Sequence, residues 1–353
     1  MSDSLNQCLL ACLQGQRSPT ATLNSLVSLT LAEPSALAAF DIPPGQIERS
    51  LAYRLMCLQQ VYPTLQTWCE EAFTTTPWLE TLWNFWLPLA LQLAELRQQQ
   101  QRPVVQAVLG GQGTGKTTLG KVLAQILGQL GYRLLSFSLD DLYKTYAERQ
   151  QLQTQDPRLI WRGPPGTHDV ALGLQVLDEL RRARPDQEIA IPRFDKSRHQ
   201  GAGDRTQPEI VHGVDIILFE GWFVGCRPIA PERFEQAPPP ILTAADRAFA
   251  RDMNARLVEY LPLWERCDRW LVLYPTDYRL SQIWRWQAEQ QMQAAGNPGM
   301  SAAEVHAFVE YFWKALHPDL FIRPLVTQPG LVDLVVEIDA YHAPRRIFRV
   351  FSS

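Results

Sequence analysis

The stretch Gly110-Gly111-Gln112-Gly113-Thr114-Gly115-Lys116-Thr117 has the spacing of a Walker A phosphate loop. An apolar run at 104–109 precedes it, and apolar residues recur at helical spacing over 119–130. A strand, a glycine-rich loop and a helix in this order are the context in which such a loop binds phosphate. The sequence therefore predicts a site for a nucleoside triphosphate.

Each residue type in this loop suits a phosphate ligand. Glycines let the backbone N–H groups turn towards an anion, and the helix that begins there adds its positive dipole end. Lys116 is expected to neutralise the β- and γ-phosphates, and the Thr117 hydroxyl to be a ligand of Mg²⁺. The residues predicted to bind ATP are Gly110, Gly111, Gln112, Gly113, Thr114, Gly115, Lys116, Thr117 and Thr118.

The composition is that of a folded protein, with 353 residues, 46% of them hydrophobic. The net charge of −4 and the lack of a dense basic run argue against a nucleic-acid partner. The most apolar segment, 82–91, is too short to span a membrane, and the N-terminus has no basic signal region. No cysteines have Cys-x-x-Cys spacing, so we expect a reduced, cytoplasmic protein. A regulatory disulfide between Cys8 and Cys12 is the alternative.

The chain divides into two regions of different character. Residues 1–100 show helical periodicity and few strand signals, and they carry no motif that indicates chemistry. We expect this helical region to be a packing appendage or a dimer surface, which leaves open a homo-oligomer formed through it. Residues 101–353 alternate apolar strands with long helices, a pattern typical of an α/β fold with a mostly parallel sheet covered on both faces.

The apolar patterns predict the main elements of the second region. The expected strands are 104–109, 133–138, 188–191, 214–219, 270–274 and 332–338. The expected long helices are 116–130, 170–183, 244–266, 277–294 and 301–316. Open α/β sheets bind ligands outside the carboxyl ends of their strands, so the residues after these strands are the candidates for chemistry.

Acidic residues follow two of the predicted strands. Asp140 and Asp141 come after the second strand, where they could act as a base and a metal ligand, or cap a helix. Glu220 ends the fourth strand in a Walker B pattern and is expected to hold Mg²⁺. The sequence therefore predicts a carboxylate site beside the phosphate loop.

Two further segments are rich in cations. Residues 192–198 pack three cations and an acid after the third predicted strand, and we favour a substrate or phosphate contact over a solvated surface. The rigid segment 162–169 is either a structured connection or the acceptor-binding loop of a small-molecule kinase. On the helix after the fifth strand, Arg279 and Arg285 are candidates for a lid arginine that closes over the phosphates.

Five motifs occur in order within residues 103–320: Gly-x-x-x-x-Gly-Lys-Thr, Ser-x-Asp-Asp-x-Tyr, Arg-Gly-x-x-Gly-x-His-Asp, Pro-Arg-Phe-Asp-Lys-Ser and Glu-Gly-Trp. Together they resemble the plant-type D-glycerate 3-kinases, and the segment 287–301 is similar as well. That family belongs to the phosphoribulokinase, uridine kinase and pantothenate kinase group of P-loop kinases. The resemblance does not extend to residues 1–100.

The resemblance implies ATP-dependent phosphorylation of D-glycerate to 3-phosphoglycerate, with Mg²⁺ as the metal and a place in photorespiratory glycerate recycling. It implies direct in-line transfer, in which Lys116 stabilises charge. It also implies that the catalytic base is Asp140, which stands two residues after Ser138 and three before Tyr143.

Recognition of glycerate must rest on charge-assisted hydrogen bonds, because the molecule is small and carries a carboxylate. A planar guanidinium fits a carboxylate, and Arg193 is the first choice because it lies closest to a predicted strand end. The residues predicted to bind the substrate are Arg162, His168, Asp169, Arg193, Lys196 and Arg198.

Three other functions compete with this one. A sister kinase would act on a nucleoside, pantothenate or a sugar phosphate, but those groups carry different residues in the segments 162–169 and 192–197. A GTPase switch would need an Asn-Lys-x-Asp motif, and no asparagine in this chain precedes a lysine. A binding protein with a vestigial site would not need Lys116, Thr117, Asp140 and Glu220 intact.

Overall fold

The computed structural model of the chain describes residues 2–32, 38–73, 78–184, 186–296 and 299–351. Asn297 and Pro298, which belong to the segment that resembles the family, lie outside the described residues. The strands in the described part are β1 (Val104–Gly110), β2 (Leu134–Ser138), β3 (Ile189–Ile191), β4 (Phe194–Asp195), β5 (Asp204–Arg205), β6 (Glu209–Val211), β7 (Ile216–Gly221), β8 (Arg269–Pro275), β9 (Leu334–Ile338) and β10 (Pro344–Phe348).

A six-stranded sheet in the order β10-β9-β8-β1-β7-β2 forms the centre of the molecule. β1 pairs in parallel with both β7 and β8, and only the edge strand β10 runs antiparallel to its neighbour. All seven residues of β1 are buried. This burial explains why the strand is an almost continuous apolar run, since both of its faces are covered. The predicted mostly parallel sheet is confirmed.

Helices cover both faces of this sheet. The longer helices are α1 (Ser2–Leu13), α2 (Pro19–Ala32), α3 (Ile47–Ala72), α4 (Leu87–Gln100), α5 (Lys116–Gln129), α6 (Tyr146–Gln155), α7 (Val170–Arg182), α8 (Ala244–Arg256), α9 (Leu280–Ala294) and α10 (Ala302–Ala315). A π-helical turn, Leu82–Trp86, leads directly into α4. The predicted order of strands and helices is therefore present, with most ends shifted by a few residues. The helix predicted at 244–266 needs a correction, because α8 ends at Arg256 and is followed by a 3₁₀ turn, Leu257–Tyr260, and a short helix, Leu261–Trp264.

The side chains of the central strands alternate between two cores. Val104 and Val108 of β1 pack with the N-terminal helices and α5, whereas Val105, Ala107 and Leu109 pack with α7, α8 and α10. This alternation follows from the two-residue period of a strand. The N-terminal helices therefore form, together with α5, the layer on one face of the sheet, and they share its core.

The strand predicted at 188–191 needs a correction. Residues 189–191 do form β3, but β3 pairs antiparallel with β6 in a separate two-stranded sheet, outside the central one. The expectation that 192–198 follows a strand in line with the others is therefore wrong. A three-residue strand has the same apolar pattern whether it lies in a large sheet or in a small ribbon, so its partner is decided by tertiary packing.

Within the described ranges, no helix has the length and apolar character needed to cross a membrane. All six cysteines are free thiols, Cys8 and Cys12 on α1 included, and five of them are buried. Burial raises the pKa of several of these thiols, as it does for Cys8 and Cys57. A thiol with a raised pKa is a weak nucleophile, so these side chains act as apolar packing groups.

Candidate active site

The phosphate loop connects the carboxyl end of β1 to the first turn of α5. Gly113 and Gly115 adopt positive φ angles of 78° and 87°, which favour glycine. Gly115 is the N-cap of α5, and no side chain caps this helix. Backbone N–H groups at the first turn of a helix have no partner within the helix, and together with the helix dipole they attract an anion.

Lys116 lies against the loop that it follows. Its Nζ donates hydrogen bonds to the carbonyl oxygens of Gly110 at 2.7 Å and Gly111 at 3.1 Å. The same Nζ lies 3.8 Å from Oε2 of Glu220, at the end of β7. The cation and the acid of the two nucleotide motifs therefore meet at neighbouring strand ends, because β1 and β7 pair in register.

Glu220 and Thr117 are the predicted Mg²⁺ ligands, and their donor set fits that ion. Glu220 is the second-last residue of β7, and Thr117 lies in the first turn of α5. Mg²⁺ takes one or two protein oxygen ligands and completes its shell with phosphate oxygens and water. Among the described residues, no group of three or more His, Cys, Asp and Glu side chains offers a cage made of protein alone.

The apex of the loop is held against α9 and the segment after β9. A Cβ atom added at Gly113 would lie 2.5 Å from the Cβ of Trp284. The Trp284 ring packs on the His342 imidazole, whose Nδ1 lies 2.9 Å from the Gly113 carbonyl oxygen. The loop conformation therefore depends on packing contacts from two distant segments of the chain.

We expect Gly113→Ala to weaken ATP binding by at least ~10-fold, because the new methyl group combines left-handed strain with a clash against Trp284. Titration with ATP, together with a thermal unfolding curve, measures this effect. Gly128→Ala in α5 is the matched control, since a Cβ atom there meets nothing within 4 Å. If Gly113→Ala bound ATP like the unchanged protein, the loop would not be the nucleotide site.

Asp140 and Asp141 lie in a 3₁₀ turn after β2, and their environments differ. Asp141 Oδ2 accepts the backbone N–H of Ser138 at 3.0 Å, which closes a capping box, and also binds Arg193 at 2.8 Å. Asp140 instead accepts hydrogen bonds from the Tyr143 hydroxyl at 2.8 Å and from Lys196 Nζ at 2.6 Å. Asp141 therefore stabilises the turn, while Asp140 carries its carboxylate into a cluster of polar side chains.

The pKa values of the two acids move in opposite directions. Burial raises the pKa of Asp140, but Lys196 and the Tyr143 hydroxyl outweigh it, so the net shift is downward. Burial also raises the pKa of Asp141, and its hydrogen bonds from Ser138 and Arg193 do not reverse that shift. Asp140 is therefore ionised at neutral pH and can accept a proton.

Arg193 lies close to Asp140, but its guanidinium is already engaged. Nε and Nη2 bind Oε2 of Glu209 at 2.8 and 2.6 Å. Nη1 binds Asp141 at 2.8 Å and the Ser136 carbonyl oxygen at 3.1 Å. Four of its five N–H groups are thus engaged, two with Glu209 of β6 and two with β2 and the Asp141 turn.

Arg162 has a different environment. Its guanidinium carbon lies 5.9 Å from the Tyr143 ring centre and 5.5 Å from that of Phe194, and Nη1 donates to the Gly201 carbonyl oxygen at 2.6 Å. In the described part of the chain, Arg162 forms no ion pair with a carboxylate. A cation without a counter-ion therefore lies one aromatic ring away from Asp140.

The segment 162–169 is folded against the Asp140 turn. His168 and Tyr143 form an isolated β-bridge, and their rings stack with centres 4.6 Å apart. Gly163 and Gly166 adopt φ angles of 126° and 95°. The Gly163 carbonyl oxygen accepts a hydrogen bond from the Trp222 indole, which follows Glu220 in the chain. This loop therefore joins the two carboxylate-bearing strand ends.

The remaining candidates have contacts that account for them structurally. Asp169 caps α7 and pairs with Arg205 at 2.9 Å. Arg198 donates to the Arg205 carbonyl oxygen and lies near Asp195. Arg279 is exposed and pairs with Asp277, while Arg285 forms an ion pair with the buried Glu289. The structure does not bring these four together with Asp140, and their functional roles stay predictions.

A largely apolar pocket with about 660 Å³ of empty space adjoins the phosphate loop. Trp222, Tyr278 and Phe312 contribute aromatic walls to it. Gln112 also lines the pocket, and its Oε1 atom is buried without a hydrogen-bond partner in the described part of the chain. Apolar walls beside the loop strengthen electrostatic interactions with a bound phosphate, because they exclude water.

Sequence reasoning missed two aromatic residues of this site. In the sequence, Tyr143 served only to fix the position of Asp140 within its motif, yet its hydroxyl donates a hydrogen bond to Asp140. Tyr260 binds Nδ1 of His168 at 2.8 Å from 92 positions away, and no local pattern indicates this contact.

Comparison with known proteins agrees with this geometry, although no family model matches the chain. The chain is 29% identical over 325 residues to the chloroplastic D-glycerate 3-kinase of Arabidopsis thaliana, covering 86% of this chain and 69% of the plant protein. It is 32% identical over 231 residues to the probable ATP-dependent kinase TDA10 of Saccharomyces cerevisiae, covering 61% of this chain and 77% of the yeast protein.

A solved structure is similar over most of the chain. The D-glycerate 3-kinase of Cryptococcus neoformans superimposes with a TM-score of 0.68 at 26% identity, covering 75% of this chain and 98% of the fungal one. Together with the phosphate loop, the Walker B acid and the parallel sheet, these similarities identify the family. The chain belongs to the P-loop kinase family that includes plant D-glycerate 3-kinase.

Proposed function

We propose that this protein phosphorylates D-glycerate at its 3-hydroxyl group with ATP. The observation that carries the proposal is that Tyr143 contacts both an ionised Asp140, through its hydroxyl group, and Arg162, a cation without a carboxylate partner in the described residues, over its ring. A small hydroxy acid needs a base for its hydroxyl group and a cation for its carboxylate. The similarity to two D-glycerate 3-kinases supports the same substrate.

The reaction is a direct in-line transfer. The 3-hydroxyl oxygen of the acceptor forms a bond to the γ-phosphorus as the bond from that phosphorus to the bridging β,γ-oxygen breaks. The hydroxyl proton passes to the Asp140 carboxylate, and ADP leaves with the bridging oxygen. Lys116 and the first-turn N–H groups of α5 stabilise charge on the transferring group, so most of the catalysis is positioning and electrostatics.

Thr117 and Glu220 are the residues that would hold Mg²⁺. The ion, when bound, neutralises charge on the phosphates of ATP. Lys116 Nζ lies 3.8 Å from Oε2 of Glu220, so the lysine cation and an ion held by Thr117 and Glu220 would together offset negative charge on the triphosphate.

We assign the carboxylate of the acceptor to Arg162 and Lys196, and give Arg193 a positioning role. The Lys196 side chain is 61% exposed, and the one ion pair that it forms with the described residues, to Asp140, is the contact that an incoming hydroxyl group would share. Arg193 is tied to Glu209 and Asp141, so it would have to break ion pairs before it could bind a substrate.

An ADP-release assay over several acceptors tests the proposed function. D-glycerate should be turned over, whereas glycerol, uridine and pantothenate should give little or no ADP above the background. Because glycerol lacks only the carboxylate, it is the matched control for the assigned cation site. Phosphorus NMR of the product identifies the phosphorylated hydroxyl. Rapid turnover of uridine or pantothenate, without glycerate, would favour a sister kinase instead.

We expect Arg162→Gln to raise the KM for D-glycerate about 10- to 100-fold, because a charge-assisted hydrogen-bond pair to the carboxylate is lost. The KM for ATP should change less. Steady-state kinetics with each substrate varied in turn measure the split. Arg193→Lys, which keeps the charge, is the comparison variant. If Arg193→Lys raised the KM for glycerate while Arg162→Gln left it unchanged, Arg193 would be the carboxylate ligand, as the sequence predicted.

A further inference from the structure

His168 and Tyr260 form a buried pair beside the proposed base. Tyr260 is fully buried and His168 is 2% exposed. Nδ1 of His168 lies 2.8 Å from the Tyr260 hydroxyl oxygen. The imidazole ring also stacks on the ring of Tyr143, whose hydroxyl donates to Asp140. The imidazole is therefore one ring away from the carboxylate that accepts the proton in the proposed reaction.

The other contacts of the Tyr260 hydroxyl determine where its proton points. The backbone N–H of Gly166 donates to this oxygen at 2.8 Å. The backbone N–H of His168 also donates to this oxygen, which favours the phenolate form of Tyr260. Among the described residues, the hydroxyl has no acceptor other than Nδ1 of His168. Its proton must therefore point to Nδ1, which then carries no proton of its own.

The opposite arrangement would leave two buried groups unsatisfied. If Nδ1 carried the proton and donated it to Tyr260, the phenolic O–H would have no acceptor in a fully buried position. Nε2 would then be a bare acceptor as well. The tautomer with a proton on Nε2 leaves one buried group, the Nε2–H donor, without a partner among the described residues, whereas the other tautomer leaves two, so the Nε2–H tautomer is favoured.

We propose that Tyr260 is a positioning residue, which holds a neutral His168 as its Nε2–H tautomer so that the imidazole donates a hydrogen bond to an oxygen of the phosphoryl acceptor. Nε2 is buried and has no hydrogen-bond partner in the described part of the chain, so it is a donor available to a ligand. The identity of that ligand rests on the function proposed above. The tautomer itself depends only on the protein.

Burial keeps the imidazole neutral. Burial is the largest cause of the lowered pKa of His168; Asp140 acts in the opposite direction, Lys144 adds to the lowering, and the net pKa is about 3. The rings that face it are those of Tyr143, Tyr260 and Phe223. Because the folded-state pKa lies far below neutral pH, the imidazole is neutral there, and the contact with Tyr260 then places its proton on Nε2.

Nitrogen-15 NMR of the histidine-labelled protein without ligands tests the tautomer directly. We expect an unprotonated Nδ1 and a protonated Nε2 for His168, unchanged between about pH 5 and 8, a range within which an unperturbed histidine would change its protonation state. Subtracting the spectrum of His168→Gln assigns the signals. A protonated Nδ1, or a His168 that titrates near pH 6.5, would overturn the proposal.

Tyr260→Phe tests the positioning role, because it removes the hydroxyl group and keeps the ring. We expect the KM for the acceptor to rise about 10-fold, with a smaller change in the KM for ATP, and both tautomers of His168 to appear in the NMR spectrum. Tyr311→Phe is the matched control, because its hydroxyl is also buried but interacts with the backbone of Trp161 rather than with His168. An unchanged tautomer and an unchanged acceptor KM in Tyr260→Phe would contradict the proposal.

The two experiments keep this inference separate from the proposed function. If D-glycerate is not a substrate, the proposed function fails, while the spectrum of the free protein still decides the tautomer. The kinetic arm then uses whichever acceptor the ADP-release assay identifies. If Tyr260→Phe does not fold, the spectrum of the unchanged protein alone decides whether Nε2 carries the proton.

Discussion

Asp140→Asn is expected to lower turnover by about 10³-fold while ATP binding survives, because the amide keeps the shape of the side chain but cannot accept a proton. The fold should tolerate the change. Tyr143 and Lys196 contact different oxygens of Asp140, and the amide oxygen can keep one of these hydrogen bonds. Single-turnover kinetics and ATP titration of the same sample separate the loss of chemistry from a loss of binding.

Asp141→Asn is the matched control for this prediction. Asparagine keeps an acceptor for the backbone N–H of Ser138 but loses the charge that pairs with Arg193, so we expect the free energy of unfolding to fall by about 1 kcal/mol. The folded Asp141→Asn molecules should keep most of their turnover. An inactive Asp141→Asn and an active Asp140→Asn would show that the base is the other aspartate.

Lys116→Ala is expected to lower turnover by at least ~10²-fold, as for the removal of one preorganised electrostatic contact at a transferring group. The lysine side chain is 15% exposed, and it contacts carbonyl oxygens of the loop and Glu220 rather than the apolar core. Truncation should therefore leave the fold intact, which circular dichroism and thermal unfolding would verify.

Lys121→Ala provides the matched control for Lys116→Ala, because Lys121 lies on the same helix and is exposed. It should retain turnover within about twofold, the range typical of surface substitutions. If a folded Lys116→Ala enzyme worked within a few-fold of the unchanged protein, the phosphate-loop assignment would be untenable.

Local patterns predicted the nucleotide half of the site well, and the reason is physical. A phosphate loop is built from consecutive residues, because its glycines, its lysine and the first turn of α5 must act on one anion. The strand that precedes the loop can also be predicted from consecutive residues, because a buried parallel strand such as β1 needs a nearly continuous apolar run. The position of Glu220 follows in turn from the pairing of β1 with β7.

The acceptor half was harder to predict, because its residues come from distant segments. Arg193 and Arg162 are both cations in short polar segments, and the sequence favoured Arg193 only because it lies closer to a predicted strand end. Only the structure reveals that Glu209 and Asp141 occupy Arg193, while Arg162 has no carboxylate partner in the described residues. Counter-ions are contributed by tertiary contacts, which periodicity and spacing do not report.

By itself, the sequence determined the α/β class, the phosphate loop and the strand-end acids, because these depend on residues that are close together in the chain. Tertiary structure alone decided that β3 lies outside the central sheet, that the N-terminal helices cover one face of that sheet, and that Tyr260 binds His168. The physical reason is common to all three. Each depends on which surfaces are buried against each other, and burial is a property of the assembled core rather than of any local segment.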